Sequence, residues 1–157
     1  MFKRFSQWRW LWITALVLLL DLVSKNLINH YLGEAPLVLG SFLNLVLVHN
    51  TGAAFGFLSQ DSGWQTKVFA WIGVVISVLI LIWLLMMNPQ HRLMPIALCF
   101  ILGGALGNLY DRALMGSVTD FIDVHYQNWH WPAFNVADMA VSLGTFLLII
   151  GLFRRSL

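Results

Sequence analysis

Three carboxylates in the last third of the chain are placed where they could hydrolyse a bond: Asp120 and Asp123 in "SVTDFIDVH", and Asp138 in "FNVADMA". Two close carboxylates cannot both ionise easily, so they share a proton. The ionised member takes a proton from water while the protonated one polarises a scissile carbonyl. Such a pair titrates as a unit. It is one of the few ways to hydrolyse an amide without cysteine or metal. Spacing alone does not choose between Asp120 and Asp123 as the partner of Asp138. Asp138 also has a plainer reading, with Asn135 as a helix N-cap and Asp138 at the third helical position of an imperfect capping box.

Competing chemistries are weaker. His125, His130 and Asp123 fit no strong zinc spacing. No Gly-x-Ser-x-Gly motif is present. Ser24 and Lys25 are adjacent on a helix and point to different faces. Cys99 is the only cysteine, so neither an intrachain disulfide nor a cysteine metal cluster can form. Neither a metal nor an organic cofactor is expected.

The elements that must position these groups follow from composition. Of 157 residues, 59% are hydrophobic and 10% charged, whereas a soluble domain averages about 25% charged residues. This is the composition of an integral membrane protein, and the length suits one domain over residues 1–157. The formal net charge of +2 is too small to suggest nucleic acid as a partner. The start, with Lys3, Arg4 and Arg9 before an apolar stretch, is similar to a signal peptide. The stretch continues past Asp21 and Lys25 towards Tyr31 without a small-residue cleavage pattern, so it reads as a retained helix.

A membrane helix needs about 20 mostly apolar residues, and four segments qualify: 10–29, 64–87, 93–113 and 136–153. Asn88-Pro89 separates the second from the third. Lys3, Arg4 and Arg9 at the start, Arg92 in the hairpin, and Arg154 and Arg155 at the end share one side. The Lys/Arg bias makes that side cytoplasmic, with both termini inside. Two longer loops, 30–63 and 114–135, lie outside. Every carboxylate, including Glu34 and Asp61, falls in this outer half. "PLVLGSFLNLVLVHN" reads as two or three short strands on the membrane surface, and Asn50 and Gly52 suit the turn that follows.

Helical spacing gives each span one polar face. Asp21 and Lys25 are i,i+4 neighbours, most simply an ion pair. Gly104, Asn108, Asp111 and Arg112 form a stripe, beside a Gly103–Gly107 GxxxG pair that permits close helix approach. Asn135, Asp138, Ser142 and Thr145 share a third face. Polar stripes in lipid turn inward, so the three converge on one site near the outer interface. A proton-conducting relay or a non-catalytic assembly factor would use many of the same residues. A carboxylate pair with too few nearby cations to neutralise it favours hydrolysis.

These residues fall in five ordered elements: "DLVSK" (21–25), "HNTGAAFGFL" (49–58), "GGALGNLYDR" (103–112), "GSVTDFID" (116–123) and "FNVADMAVSLG" (134–144). Together they resemble the lipoprotein signal peptidase (signal peptidase II) family over essentially the whole chain. The resemblance implies an all-α membrane fold with four transmembrane helices, a small extramembrane β-cradle and a short surface helix, to which "AAFGFL" corresponds. It implies an aspartic protease of the bacterial inner membrane whose catalytic pair is Asp120 and Asp138. Asp123 becomes a supporting residue. Asn50, Asn108, Arg112 and Asn135 match polar positions around the family's active site, and Asp21, Lys25 and Asp111 match its supporting network. Gly52 and Gly104 fall within the matched elements and are carried over with them. His49 occupies a position that is basic in some relatives. The implied substrate is a prolipoprotein bearing diacylglycerol on its lipobox cysteine, cut just before that cysteine. Membrane lipid is the other implied partner, and the protein is expected to act as a monomer.

Overall fold

The structure is a computed structural model that describes residues 7–33, 35–52, 64–88 and 90–155. The chain runs α1 (Leu11–Tyr31), β1 (Leu37–Val38), β2 (Leu43–Asn50), α2 (Trp64–Met86), α3 (Leu93–Leu114), β3 (Val118–Tyr126), β4 (Trp129–His130) and α4 (Val136–Arg155). The four helices are long and apolar enough to cross a membrane. Each matches an expected span to within two residues. The segment "AAFGFL", expected to be a surface helix, lies outside the described residues.

α3 is the axis of the bundle, packing against α1, α2 and α4. Small residues make this possible. Gly103 lies against Val17 and the Thr14 carbonyl of α1, and Gly104 lies against Val141 and the backbone of Ala137 in α4. A Cβ on Gly104 would overlap the Ala137 carbonyl oxygen, and one on Gly107 would overlap the Asp21 carboxylate. The core beneath them includes Ile13, Val17, Met94, Leu98, Cys99, Leu102 and Ala140, joined by Ile80, Leu84 and Met87. α2 exposes apolar side chains along its length, among them Val68, Trp71, Val75, Leu79 and Ile82, as a lipid-facing helix does. At the hairpin end of the bundle the buried Gln7 amide donates to the Asn88 carbonyl at 2.7 Å, tying α1 to the α2–α3 hairpin.

The opposite end of the bundle carries a four-stranded antiparallel sheet in the order β1-β2-β3-β4. The first long loop, between α1 and α2, forms two strands, as expected. The second does not remain a loop: residues 118–126 form the longest strand of the sheet. Its alternation is hard to read, because Asp120 and Asp123 are buried along with Val118 and Phe121. Gly116, in the left-handed region at φ 73°, makes the turn from α3 into β3. The Thr66 hydroxyl on α2 lies 3.1 Å from the Thr51 carbonyl and 2.9 Å from that of Gly116, holding both sheet-bearing segments to the bundle.

Because the obstacle at Gly104 is backbone, it cannot be relieved by a rotamer change. Gly104→Ala should lower stability in detergent by about 1–3 kcal/mol, the usual cost of overpacking. Gly33→Ala, with nothing within 4 Å of the added methyl, should leave the melting temperature unchanged.

Candidate active site

The polar centre is organised around the Lys25 ammonium, which is only 3% exposed. Its nitrogen forms ion pairs with Asp21 Oδ2 at 2.7 Å and Asp111 Oδ2 at 3.0 Å, and donates to Asn108 Oδ1 at 3.0 Å. An ammonium has three donors and no acceptor; it donates to the Asn108 oxygen, and the two carboxylates balance its charge as ion pairs. Each acceptor then reaches another element. Asp21 Oδ1 accepts the Ala137 N–H at 2.8 Å, and Asp111 Oδ2 accepts the Thr119 N–H at 3.1 Å. Asn108 turns its amide nitrogen to Asp138 Oδ1 at 2.8 Å.

Asn135, fully buried, connects the two candidate carboxylates. Its Nδ2 lies 2.7 Å from Asp120 Oδ1, and its Oδ1 accepts the Asp138 N–H at 2.9 Å. The Asn135 N–H in turn lies 3.3 Å from Asp138 Oδ2. That reciprocal pair is the capping box anticipated for α4. It occupies Asp138 from the helix side and leaves the residue partly exposed.

A β-bulge determines which polar groups face Asp120. In the β2–β3 ladder Leu45 pairs with Ile122, but Val48 pairs with Asp120, so β2 spends three residues where β3 spends two. The extra residue reverses the alternation. Val48 and Asn50 therefore come to the Asp120 face, and Asn50 Nδ2 donates to Asp120 Oδ2 at 3.0 Å. The Asn50 Oδ1 accepts the Gly52 N–H at 2.9 Å, closing the turn, and the Gly52 carbonyl accepts from Arg112 Nη2 at 3.1 Å. The Arg112 guanidinium also lies over the Phe69 ring, 5.6 Å from its centroid.

Asp123, an odd number of residues along β3, points to the opposite face. There it accepts from Asn44 at 2.9 Å and lies 2.9 Å from His130 Nδ1. Burial alone would raise its pKa. The hydrogen bonds from His130 and Asn44, with the charges of His130 and His125, outweigh that and hold it below the ordinary carboxylate value. Asp123 thus joins β2, β3 and β4 and has no direct contact with Asp138. His49, paired with Thr119 in the register, is exposed on this other face.

Asp120 and Asp138 both line a cavity of about 630 Å³, walled by residues 131–134 and by Met139, Val141 and Ser142 of α4. Asp120 is 3% exposed. Burial, reinforced by the nearby Asp138 charge and only partly offset by Asn50, Asn135 and Lys25, pushes its pKa from 3.8 to about 6. A buried acid beside a second carboxylate is the arrangement that lets a pair share one proton. Among the described residues, no group of three or more His, Cys, Asp or Glu could hold a metal ion.

Other members of the network were not anticipated from sequence. Asn29 donates to the Lys25 carbonyl and to Thr119 Oγ1, and the spacing 21, 25, 29 was the available signal. Thr119 and the cavity wall at 131–134 depend on the position of β3, which periodicity did not reveal.

Comparison with known proteins places the chain among relatives. The family model described as signal peptidase (SPase) II matches residues 13–154. A lipoprotein signal peptidase of Coxiella burnetii (strain Dugway 5J108-111) is 48% identical over 149 residues, 94% of this chain and 91% of that protein. One from Polynucleobacter necessarius subsp. necessarius (strain STIR1) is 49% identical over 156 residues, 98% of this chain and 94% of that protein. Two bacterial membrane enzyme structures determined by the in meso method share the fold. One, at 2.3 Å resolution, has a TM-score of 0.83 at 30% identity, covering 94% of this chain and 89% of its own. The other, at 1.9 Å, has a TM-score of 0.79 at 31% identity, covering 92% of each chain.

A raised carboxyl pKa is also a statement about stability. The folded protein holds the Asp120 proton more tightly than the unfolded chain, so ionising this group costs stability as pH rises from 3.8 through about 6. The cost is at most about 3 kcal/mol above that window. The pH-dependent difference in melting temperature between wild type and Asp120→Asn in detergent should follow this sign. Wild type should lose ground to the variant between pH 4 and pH 7.

Proposed function

This chain belongs to the signal peptidase II family, and from that membership we propose that it is the aspartic endopeptidase of lipoprotein maturation, working through an Asp120/Asp138 pair. The coarser part stands on the family itself: the chain is a membrane-spanning protease of bacterial type that cleaves lipoprotein signal peptides. The finer reading is that its single domain cuts a diacylglyceryl-modified prolipoprotein just before the lipidated cysteine, near the outer face of the inner membrane, with both termini cytoplasmic. The observation that carries the assignment is that Asp120 and Asp138, from different elements, line one cavity and are joined through Asn135.

In this reading Asp120 holds the shared proton, because burial favours its neutral form. Asp138, with N–H donors on both oxygens, is the base. It takes a proton from water as the water oxygen attacks the scissile carbonyl carbon, while Asp120 gives its proton to the carbonyl oxygen. Collapse of the tetrahedral diol breaks the C–N bond. Asp138 gives the proton it took from water to the leaving amine, and Asp120 takes one back from a diol hydroxyl as the new carboxyl forms, so the pair again holds one proton. Asn50 and Asn135 hold the Asp120 carboxyl in plane for this exchange. Arg112 contributes positive charge near the two carboxylates.

The cavity wall explains how a small site can be selective. Met139 is exposed, and Val141 and Ser142 continue along α4 from Asp138. Apolar contact along this wall would let the lipid and the signal helix remain in the bilayer while the bond to be cut reaches the carboxylates. Binding free energy remote from that bond can then be used to orient it.

The test is cleavage of a diacylglyceryl prolipoprotein by the purified protein in detergent, with a chelator present. Wild type should cleave, and folded Asp120→Asn and Asp138→Asn should each lose at least about 1,000-fold in kcat, the scale on which loss of a central catalytic group is felt. Activity surviving in either folded variant would reject the pair. The profile of kcat/KM, which reports the free enzyme, should fall on the alkaline side with a midpoint near pH 6, as Asp120 gives up its proton.

A further inference from the structure

Lys25 does not line the cavity that holds Asp120 and Asp138. It borders a separate groove of about 410 Å³ between α1 and α3, with Asn26, Asn29 and Tyr110, which shares no lining residue with that cavity. Its charge acts on Asp120 through space, and everything else it does for the reaction is done through other groups. Three such routes leave its one nitrogen. Asp21 carries one to the N–H of Ala137, the residue before Asp138. Asp111 carries another to the N–H of Thr119, the residue before Asp120. Asn108 carries the third to the carboxylate of Asp138.

The third route also fixes an orientation. An amide can be turned end for end, and its two ends look alike in shape. Here Asn108 Oδ1 lies 3.0 Å from the ammonium and 3.2 Å from the Asn135 amide nitrogen. An ammonium has no lone pair to accept from the amide, so Asn108 must present its oxygen to Lys25 and its N–H to Asp138. Reversing it would set a donor against a donor at one end and an oxygen against a carboxylate at the other.

We propose that Lys25 is the positioning residue that sets the separation and orientation of the two candidate catalytic carboxylates, fixing the start of β3 against the start of α4 through Asp111, Asp21 and Asn108. The proposal rests on the reading of Asp120 and Asp138 as the reacting pair. It differs from a purely structural ion pair, whose task would end once the charges of Asp21 and Asp111 were balanced. A structural pair can be replaced by neutral groups of similar shape without loss of function, whereas a positioning group cannot.

The experiment is the neutral triple variant Lys25→Met/Asp21→Asn/Asp111→Asn, assayed with the diacylglyceryl prolipoprotein in detergent beside wild type and Asp120→Asn. Its Asn side chains can still accept the Ala137 and Thr119 N–H groups, and no buried charge is left unpaired. The expected result is a melting temperature close to wild type, KM within about threefold, and kcat down by about 100-fold, the scale of a misplacement near 1 Å. A folded triple variant with kcat within threefold of wild type would overturn the proposal.

Lys25→Arg gives a second decision if the triple variant does not fold. It keeps the charge, but its planar fork does not match three acceptors around one point. Positioning predicts at least a tenfold loss in kcat for the folded Arg variant, whereas charge balance predicts none. An inactive wild type, or an active Asp120→Asn, would instead remove the dyad reading itself.

Discussion

A positive charge buried among membrane helices must be matched locally, and the rest of this structure depends on how Lys25 is matched. Desolvating an ammonium costs several kcal/mol, and stranding one partner of a buried pair costs about 3–5 kcal/mol. Lys25 is matched by α1 through Asp21 and by α3 through Asp111 and Asn108. The two carboxylates among them also accept N–H groups from the leading residues of β3 and α4. Two backbone segments that would otherwise end in unsatisfied N–H groups are thereby tied to one point. Gly107 makes the arrangement possible, because any side chain there would occupy the space of the Asp21 carboxylate. The glycine stripe therefore admits polar groups as well as bringing helices together.

The candidate site is assembled from opposing demands. Asp138 belongs to the first turn of α4, where N–H groups need acceptors, and its capping geometry with Asn135 meets part of that need. Asp120 is on a strand, almost fully buried, and is held nearer to neutrality. One carboxylate is at a helix end that favours negative charge, and the other is in a place that disfavours it. That difference in surroundings allows two chemically identical groups to take different protonation roles. The plain reading of Asp138 as a cap and its proposed role as a base describe the same atoms, and neither excludes the other.

The four helices were legible because apolar length is a local property. The convergence of the stripes was legible too, since lipid leaves polar residues no other place to go. What could not be read was the fate of residues 118–126. Their buried carboxylates hide the alternation, and their partner strand lies some seventy residues earlier, as the Asn50–Asp120 bond shows. Without β3 the chain gives no reason to separate Asp120 from Asp123; with it, three steps along a strand place them on opposite faces. The bulge in β2 that brings Asn50 to the Asp120 face is likewise invisible to periodicity, because it is a break in periodicity. The family resemblance supplied a pairing that spacing left open, and the geometry adds the physical reason the two aspartates differ.

The central claim is that the pair activates water directly and forms no bond to the substrate. Its most direct test is a single turnover in water enriched in heavy oxygen, with enzyme in excess over the lipidated substrate, followed by mass analysis of both products of the experiment. Direct attack predicts one heavy oxygen in the new terminal carboxyl of the released signal peptide and none in Asp120 or Asp138. Heavy oxygen in either aspartate after one turnover, with an unlabelled signal peptide, would mean that a carboxylate attacked the carbonyl itself and would contradict the account.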